Sequence, residues 1–460
     1  MKQKFIILAA IAVALGLLGK MIGFSHEQAL IVSIFTMSIV GTLFFWDFRL
    51  SFVFIGAGIL VSMGAVDMEH FIQYASLDVI LFLIAMMIIV GMMKDAGFFE
   101  WLITVVLRVK NLTGIKMFAI LMVASAVFSA LMGEVASIIV MAMIILNICD
   151  FLEIDPLPMI LSSVLATNIG SASTVLGNPV GVLIAARGNL SFEDFITHAL
   201  PLSFFVLIIT ILILLVWYRK YLRLLNERIQ PFEEDKGFLY LISIPPDLRT
   251  KVSIGIFLVT IGLIAMHRRI EVFLGLEHNT MLIMIPIIAA GIVMIYRYDR
   301  ARHYIEHEIE WPSLLFFMFL FAQAGVIRAS GIADILAGKI FSSVGDAPRA
   351  LTGVVLFSAG ILSSGLDNVV TVASYVPIVK SLEAFHYNLK PLWWALLFGA
   401  CYGGNITMIG STANIVALGL LEKERNIKVT FAMWLKVGAT VGLISMAIAY
   451  LAVLFIPIYG

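Results

Sequence analysis

Apolar residues fall in long unbroken stretches along this chain, not in the short periods of half-buried surface helices. Stretches near 5–24, 28–46, 50–66, 77–96, 157–186, 199–218, 252–267, 280–296, 312–330, 391–420 and 432–457 approach the ~20 residues that cross a bilayer as a helix. Two others, 115–149 and 350–381, are apolar but interrupted by small and polar residues. A straight spanning helix explains them poorly. A re-entrant helix–turn–helix hairpin explains them better, because non-helical backbone is tolerated at membrane depth where it lines a cavity. The pattern therefore predicts an all-α polytopic membrane protein with about eleven transmembrane helices and two re-entrant hairpins.

Composition agrees. Of 460 residues, 61% are hydrophobic and 13% charged. The first apolar stretch follows MKQK and lacks a clear small-residue cleavage site, so it is expected to be the first permanent helix, 1–24, and not a signal peptide. With eleven crossings and a cytoplasmic N-terminus, the inner segments carry 21 of the 30 Lys and Arg and the outer segments 9. Seven of the inner bases lie between Arg219 and Lys251. This is the positive-inside bias, with the C-terminus outside. We expect residence in a bacterial or archaeal plasma membrane, with lipid as the surrounding partner. The zero net charge gives no reason to expect a nucleic-acid partner. Two cysteines, Cys149 and Cys401, exclude a disulfide framework and a CxxC metal site.

The chain repeats itself. GMMKDAGFFEWL (Gly91–Leu102) reads against GVIRASGIADIL (Gly325–Leu336), which aligns Gly91 with Gly325, Lys94 with Arg328, Gly97 with Gly331 and Glu100 with Asp334. FSALMGEVASIIVMAMI then reads against LSSGLDNVVTVASYVPI, and GSASTVLG (Gly170–Gly177) against GGNITMIG (Gly403–Gly410). Lys94 to Gly133 and Arg328 to Asp367 are both 39 residues. The first copy is expected over 25–218, with its hairpin at 115–149, and the second over 251–460, with its hairpin at 350–381. A cytoplasmic linker, 219–250, joins them. Each copy holds an odd number of crossings, so the second starts facing the other way. Inverted-topology repeats of this kind mark secondary transporters, with the site where the copies meet near mid-membrane.

Four polar clusters should converge there. The tip of the first hairpin offers Ser129, Glu134 and Ser137. TNIGSASTVLGNP offers Asn168, Ser171, Ser173, Thr174 and Asn178. The second tip offers Ser363, Ser364, Asp367, Asn368 and Thr371. GGNITMIGSTAN offers Asn405, Thr407, Ser411 and Asn414. Glycine lets a helix unwind and frees its carbonyls and amides, and the hydroxyl and amide side chains add hard oxygen ligands suited to Na⁺. Asn178–Pro179 marks a helix break. An isolated Ser or Thr in a membrane helix more often packs than binds, but four clusters at matched repeat positions favour a site. Glu134 and Asp367 have fewer ordinary explanations, since a carboxylate in hydrocarbon needs a proton, a cation or an ionic partner. In the repeat register Asp367 aligns with Gly133, and Glu134 with Asn368, so each tip brings one acid, displaced by one residue.

These residues resemble a known family. SSGLDNVVTVASYVPIV with WWALLFGACYGGNITMIGSTANIV is similar to the second half of the ion transporter superfamily, and LATNIGSASTVLGNPVGVLI to its first half. The nearest flavour is the branch of citrate transporter-like domains that holds the arsenite-pump membrane subunit, the NhaD-type sodium:proton antiporters and the P protein. The resemblance runs from about residue 25 to the end. It implies eleven helices with two re-entrant hairpins, helix breaks after Thr167 and after Cys401, and an elevator mechanism in a homodimer. By the matched motifs it carries over Asp367, Asn368, Thr371, Asn405 and Thr407 as site residues, with Na⁺ at Asp367, Asn368 and Asn405. The first tip departs from the family pattern: it reads Met132-Gly133-Glu134 where relatives often show leucine-aspartate-asparagine. The relatives' aspartate-proline-proline is here Asn178-Pro179-Val180.

Two acids near one site repel a dianion unless Na⁺ or helix N-termini offset them. The expectation is therefore cation-coupled secondary transport, with Na⁺/H⁺ antiport leading, Na⁺ or H⁺ as coupling ion and no other cofactor. Export of arsenite or another oxyanion, and Na⁺-coupled uptake of a carboxylate, are the alternatives. An intramembrane enzyme would need a nucleophile and base or a metal-ligand set at depth, and a channel would not need matched hairpins.

Overall fold

The computed structural model describes residues 2–45, 48–98, 101, 112–229, 247–345 and 347–459. Glu100 of the repeat alignment and residues 230–246 of the expected linker lie outside the described residues. Among the described residues all regular structure is helical. Among the described residues eight helices are long and apolar enough to cross a membrane, and four shorter apolar helices accompany them.

The first half runs α1 (Lys2–Ile22), α2 (His26–Phe44), α3 (Arg49–Ser62), the short α4 (Met68–Tyr74) and α5 (Leu77–Asp95). The hairpin α6 (Gly114–Met132) and α7 (Glu134–Leu152) follows, then α8 (Leu157–Ser171), α9 (Pro179–Gly188) and α10 (Leu200–Trp217). After α11 (Arg219–Ile229) the second half runs α12 (Leu248–Ala265), the short α13 (His267–Leu274), α14 (Thr280–Tyr296), α15 (Trp311–Ala329) and α16 (Ile332–Val344). A second hairpin, α17 (Pro348–Gly365) and α18 (Asn368–Ser381), precedes α19 (Lys390–Gly403), α20 (Thr412–Arg425) and α21 (Phe431–Phe455).

The order repeats, and so does the packing. Helix α5 packs on α14 as α15 packs on α3; α7 packs on α20 as α18 packs on α9; α6 packs on α8 as α17 packs on α19. Reciprocal pairs of this kind are what a pseudo-two-fold relation between two copies requires. Helices α8 and α19 are buried on nearly their whole circumference, so they form the centre of the molecule and can be apolar all round.

Both expected hairpins are present as antiparallel helix pairs. Gly133 turns the first one with φ +90°, a region costly for any residue with a Cβ. Its two arms are 19 residues each, about 28 Å at 1.5 Å per residue, long enough by themselves to cross. Because the pair returns the chain to the end it left, the direction of every later helix is unchanged.

The expected breaks at 157–186 and 391–420 are also real, but they lie later than the family pattern implies. The hydrogen-bonded helix passes Thr167 and runs to Ser171, and it passes Cys401 and runs to Gly403. The added residues are held by packing. Gly170 lies against the backbone of Ala126 and Gly403 against the backbone of Gly360, so both helices stay wound until these contacts end. Helices α4, α13 and α16 escaped the sequence reading. They are short and mostly amphipathic, too brief for a hydropathy window to resolve.

Candidate functional site

Four helix starts carry the expected site residues, and three of them are capped by a side chain. Asn178 caps α9 by accepting from Gly181 N at 2.8 Å, with Pro179 at the first helical position, where no amide is needed. Ser411 caps α20 at the equivalent place and accepts from Ala413 N at 3.2 Å. Asp367 caps α18 by accepting from Val369 N at 3.0 Å. Glu134 is the first residue of α7, at the positive end of that helix.

The two acids have different partners. Glu134, 4% exposed, accepts from Asn368 Nδ2 at 3.2 and 3.3 Å and from Ser411 Oγ at 3.4 Å. All are neutral donors, and no Lys, Arg or His among the described residues lies within ion-pair distance of it. Ser171 and Asn178 flank the same carboxylate. Asp367, 6% exposed, is held by its own half: Oδ2 accepts from Thr412 N at 3.1 Å and from Thr412 Oγ1 at 2.5 Å. Arg49, at the start of α3, is close enough to act electrostatically on Asp367 and donates to Ser313 Oγ at 3.0 Å.

The repeat register explains this division. Asp367 and Thr412 correspond to Gly133 and Pro179 in the first half. Where the tip carries an acid, the facing helix start supplies an amide and a hydroxyl. Where the tip is glycine, the facing residue is proline, which has no amide proton. Glu134 and Asn368 also correspond in sequence, and they hydrogen-bond to each other.

Amides join the halves beneath the tips. Asn168 Nδ2 donates to Asn405 Oδ1 and to Asn414 Oδ1, both at 2.8 Å. Asn414 Nδ2 donates to Gly404 O at 2.8 Å and Thr407 O at 2.9 Å, and Asn405 Nδ2 to Leu165 O at 3.3 Å. Asn178 Nδ2 donates to Ser171 Oγ at 3.0 Å and to Cys401 Sγ at 3.3 Å. Thr174 Oγ1 donates to Ala130 O and Thr407 Oγ1 to Ser364 O, equivalent bonds that lash each break to its hairpin.

Other expected site residues serve locally. Ser137 Oγ donates to Ser125 O at 3.1 Å, Ser173 Oγ to Gly170 O at 2.6 Å, Ser363 Oγ to Ala400 O at 2.7 Å and Ser364 Oγ to Ile361 O at 2.7 Å. Ser171 Oγ donates to Asn168 O at 3.0 Å. In contrast, four buried oxygens in these elements have no hydrogen-bond partner among the described residues: Ser129 Oγ, Thr167 Oγ1, Asn168 Oδ1 and Thr371 Oγ1. Asp367, Asn368 and Asn405, the expected Na⁺ set, are held by different neighbours: Thr412, Glu134 and Asn168 respectively. Among the described residues no three His, Cys, Asp or Glu gather as metal ligands.

A cavity of about 230 Å³ opens in front of Gly133 and Glu134, reaching Asn178, Thr412 and the polar rim of His307, Glu308 and Glu310. Thr412, Cys401 and Arg49 were missed by the sequence reading. Thr412 follows Ser411 in sequence, and Cys401 lies against Asn178 in space. Arg49 carried one signal, a lone base at the head of an apolar stretch.

Comparison with known proteins places this arrangement. The model of the citrate transporter family matches residues 42–399. The chain belongs to that family. It is 30% identical over 377 residues to an uncharacterized transporter of Mycobacterium tuberculosis strain H37Rv, covering 81% of this chain and 84% of that one. It is 25% identical over 466 residues to the human P protein, covering 84% of this chain but only 55% of the P protein. The crystal structure of the Alcanivorax borkumensis YdaH transporter superposes with a TM-score of 0.54 at 12% identity, over 95% of this chain and all of that one. That likeness is one of fold. The family and these relatives make the chain an integral membrane transporter, as the sequence reading expected.

Proposed function

We propose that this transporter couples its cargo to a cation, with Na⁺/H⁺ antiport as the leading form, and that Glu134 is the group that takes up and releases the cation or proton. One observation carries this reading. Glu134 is buried, and its described partners are neutral amide and hydroxyl donors at 3.2–3.4 Å. A buried carboxylate without a counter-ion is costly, and a proton or a cation removes the cost. The partnerless oxygens of Ser129, Thr167, Asn168 and Thr371 are the neutral ligands a hard cation would use. Asp367, fully occupied by Thr412 and Val369, sets the local field and holds the second tip in place.

In this reading the hairpins and broken helices move as one body past α3, α5, α14 and α15, an elevator motion in a homodimer. A second reading, a carboxylate carried with the cation, is favoured by the family's own description as citrate transporters. Purified protein in proteoliposomes separates the two. An imposed Na⁺ gradient should generate a pH gradient that Glu134→Gln abolishes. A Na⁺-dependent citrate flux without a pH change would favour the second reading. Wild-type flux in Glu134→Gln would overturn both.

A further inference from the structure

Helix α15 runs between two cavities. Its first turns, Ser313 and Phe317, line the cavity at Glu134, and its last turns, Phe321 to Ala329, line another of about 390 Å³. This second cavity lies between α4, α9, α15 and α18. It is the counterpart of the first under the repeat, since α15 corresponds to α5 and α18 to α7. The mouths differ in charge. At the first, Gly91 lets Glu308 approach α5, and Lys94 Nζ pairs with Glu308 Oε2 at 3.1 Å. At the second, the equivalent Gly325 admits Tyr74 instead, and the equivalent Arg328 has no acid within ion-pair distance among the described residues.

Two more bases face Arg328 across this cavity: Arg187 from the end of α9 and Lys380 from the end of α18. Lys380 is near enough to feel both arginines, with Glu383 and Asp78 the nearby acids. Arg187 Nη2 is steadied by Ser76 Oγ at 2.6 Å and Asp78 Oδ1 at 3.3 Å. None of the residues lining the cavity is acidic. Nine Lys and Arg fall on this side of the chain by span alternation, and three of them surround one cavity. Asp78 already pairs with Arg187, and the positive charge left on Arg328 and Lys380 is unfavourable unless a further anion offsets it. The volume is within the range of small-ligand sites.

We propose that this cavity binds a small multivalent oxyanion, carboxylate or phosphate, through Arg187, Arg328 and Lys380, at a site separate from the hairpin tips. Arg328 stands on α15, while Arg187 and Lys380 stand on the elements that carry the tips. A bound dianion would bridge the two groups of helices and hold them together. A lone arginine or lysine would more often reach out to solvent or lipid headgroups. Three converging bases with no lining acid favour a ligand.

Isothermal titration calorimetry of the detergent-purified protein tests this, with citrate and inorganic phosphate as probes at fixed ionic strength and no ion gradient. One saturable site is expected, weakened at least tenfold by Arg328→Gln and by Lys380→Gln and kept by Arg328→Lys. Glu134→Gln should bind as the wild type does, so failure of the cation-coupling reading leaves this one standing. Heat with neither probe, but displacement-sensitive binding of phosphatidylglycerol that Arg328→Gln removes, would assign the ligand as a headgroup phosphate. Binding by neither the soluble anions nor the lipid would overturn the proposal. So would binding unchanged in both glutamine variants, or binding lost in Glu134→Gln.

Discussion

Asn368 and Glu134 stand at the same place in the two repeats, and the Asn368 amide reaches the Glu134 carboxylate at 3.2 Å. The acid and its sequence equivalent thus meet directly. Replacing Glu134 by Gln keeps the shape and the chance of an amide contact while removing the charge. Cation-driven flux should fall at least about tenfold, as expected for an intramembrane acid on the ion path. Thermal unfolding in detergent should stay close to the wild type, because no ion pair among the described residues is broken. Flux in proteoliposomes and a melting curve on the same preparation check both halves of this statement.

Thr412 should matter for Asp367 more than its modest size suggests. It gives the carboxylate both an amide and a hydroxyl hydrogen bond. Thr412→Val removes the hydroxyl and should destabilise by about 1–3 kcal/mol, the usual cost of stripping a donor from a buried charged acceptor. Thr412→Ser should restore most of it. Denaturation of the two variants side by side reads the difference.

Asn168 is the donor shared by Asn405 and Asn414. Asn168→Leu leaves two buried carbonyl oxygens without it, at about 1–3 kcal/mol each. The loss should exceed that of Ser173→Ala, whose bond is local to its own turn. Melting temperatures of the pair rank the two effects.

The close helix crossings predict a sharp dependence on side-chain size. A Cβ on Gly170 would overlap the Ala126 backbone, and one on Gly403 the Gly360 backbone. Gly170→Ala and Gly403→Ala should each cost roughly 1–3 kcal/mol or more, since backbone cannot step aside as a side chain can. Gly419→Ala, in open space on α20, should be neutral or slightly stabilising. Yield of monodisperse protein and melting temperature distinguish them.

Much of this architecture is legible in the sequence. Apolar run length marks bilayer-spanning helices because the bilayer sets one length for all of them. The break before Pro179 was legible because proline lacks an amide. The repeat spacing aligns Glu134 with Asn368, and in the structure these two residues hydrogen-bond to each other. The sequence could not say that Asp367 turns to Thr412 while Glu134 turns across to Asn368, because that depends on how two distant helix starts are rotated. The family resemblance puts the breaks after Thr167 and Cys401, and the helices end at Ser171 and Gly403, because the backbone contacts of Gly170 and Gly403 that keep those helices wound join segments far apart in sequence. Arg49 was overlooked for the same reason: it lies over 300 residues from the acid it influences.

The Asp367–Thr412 pair and its counterpart, Gly133–Pro179, read as a record of descent. If the halves arose by duplication, an acceptor and its donors were retained together in one copy and lost together in the other, leaving neither a stranded acid nor an idle amide. The unit of inheritance here is the contact, not the residue. Gly133 stands at φ +90°, where a Cβ is costly, whereas Asp367 stands at φ −59°, so the informative graft carries the whole second tip, Gly365 to Asn368, together with Thr at position 179; Asp or Thr moved alone would inherit only half a bond.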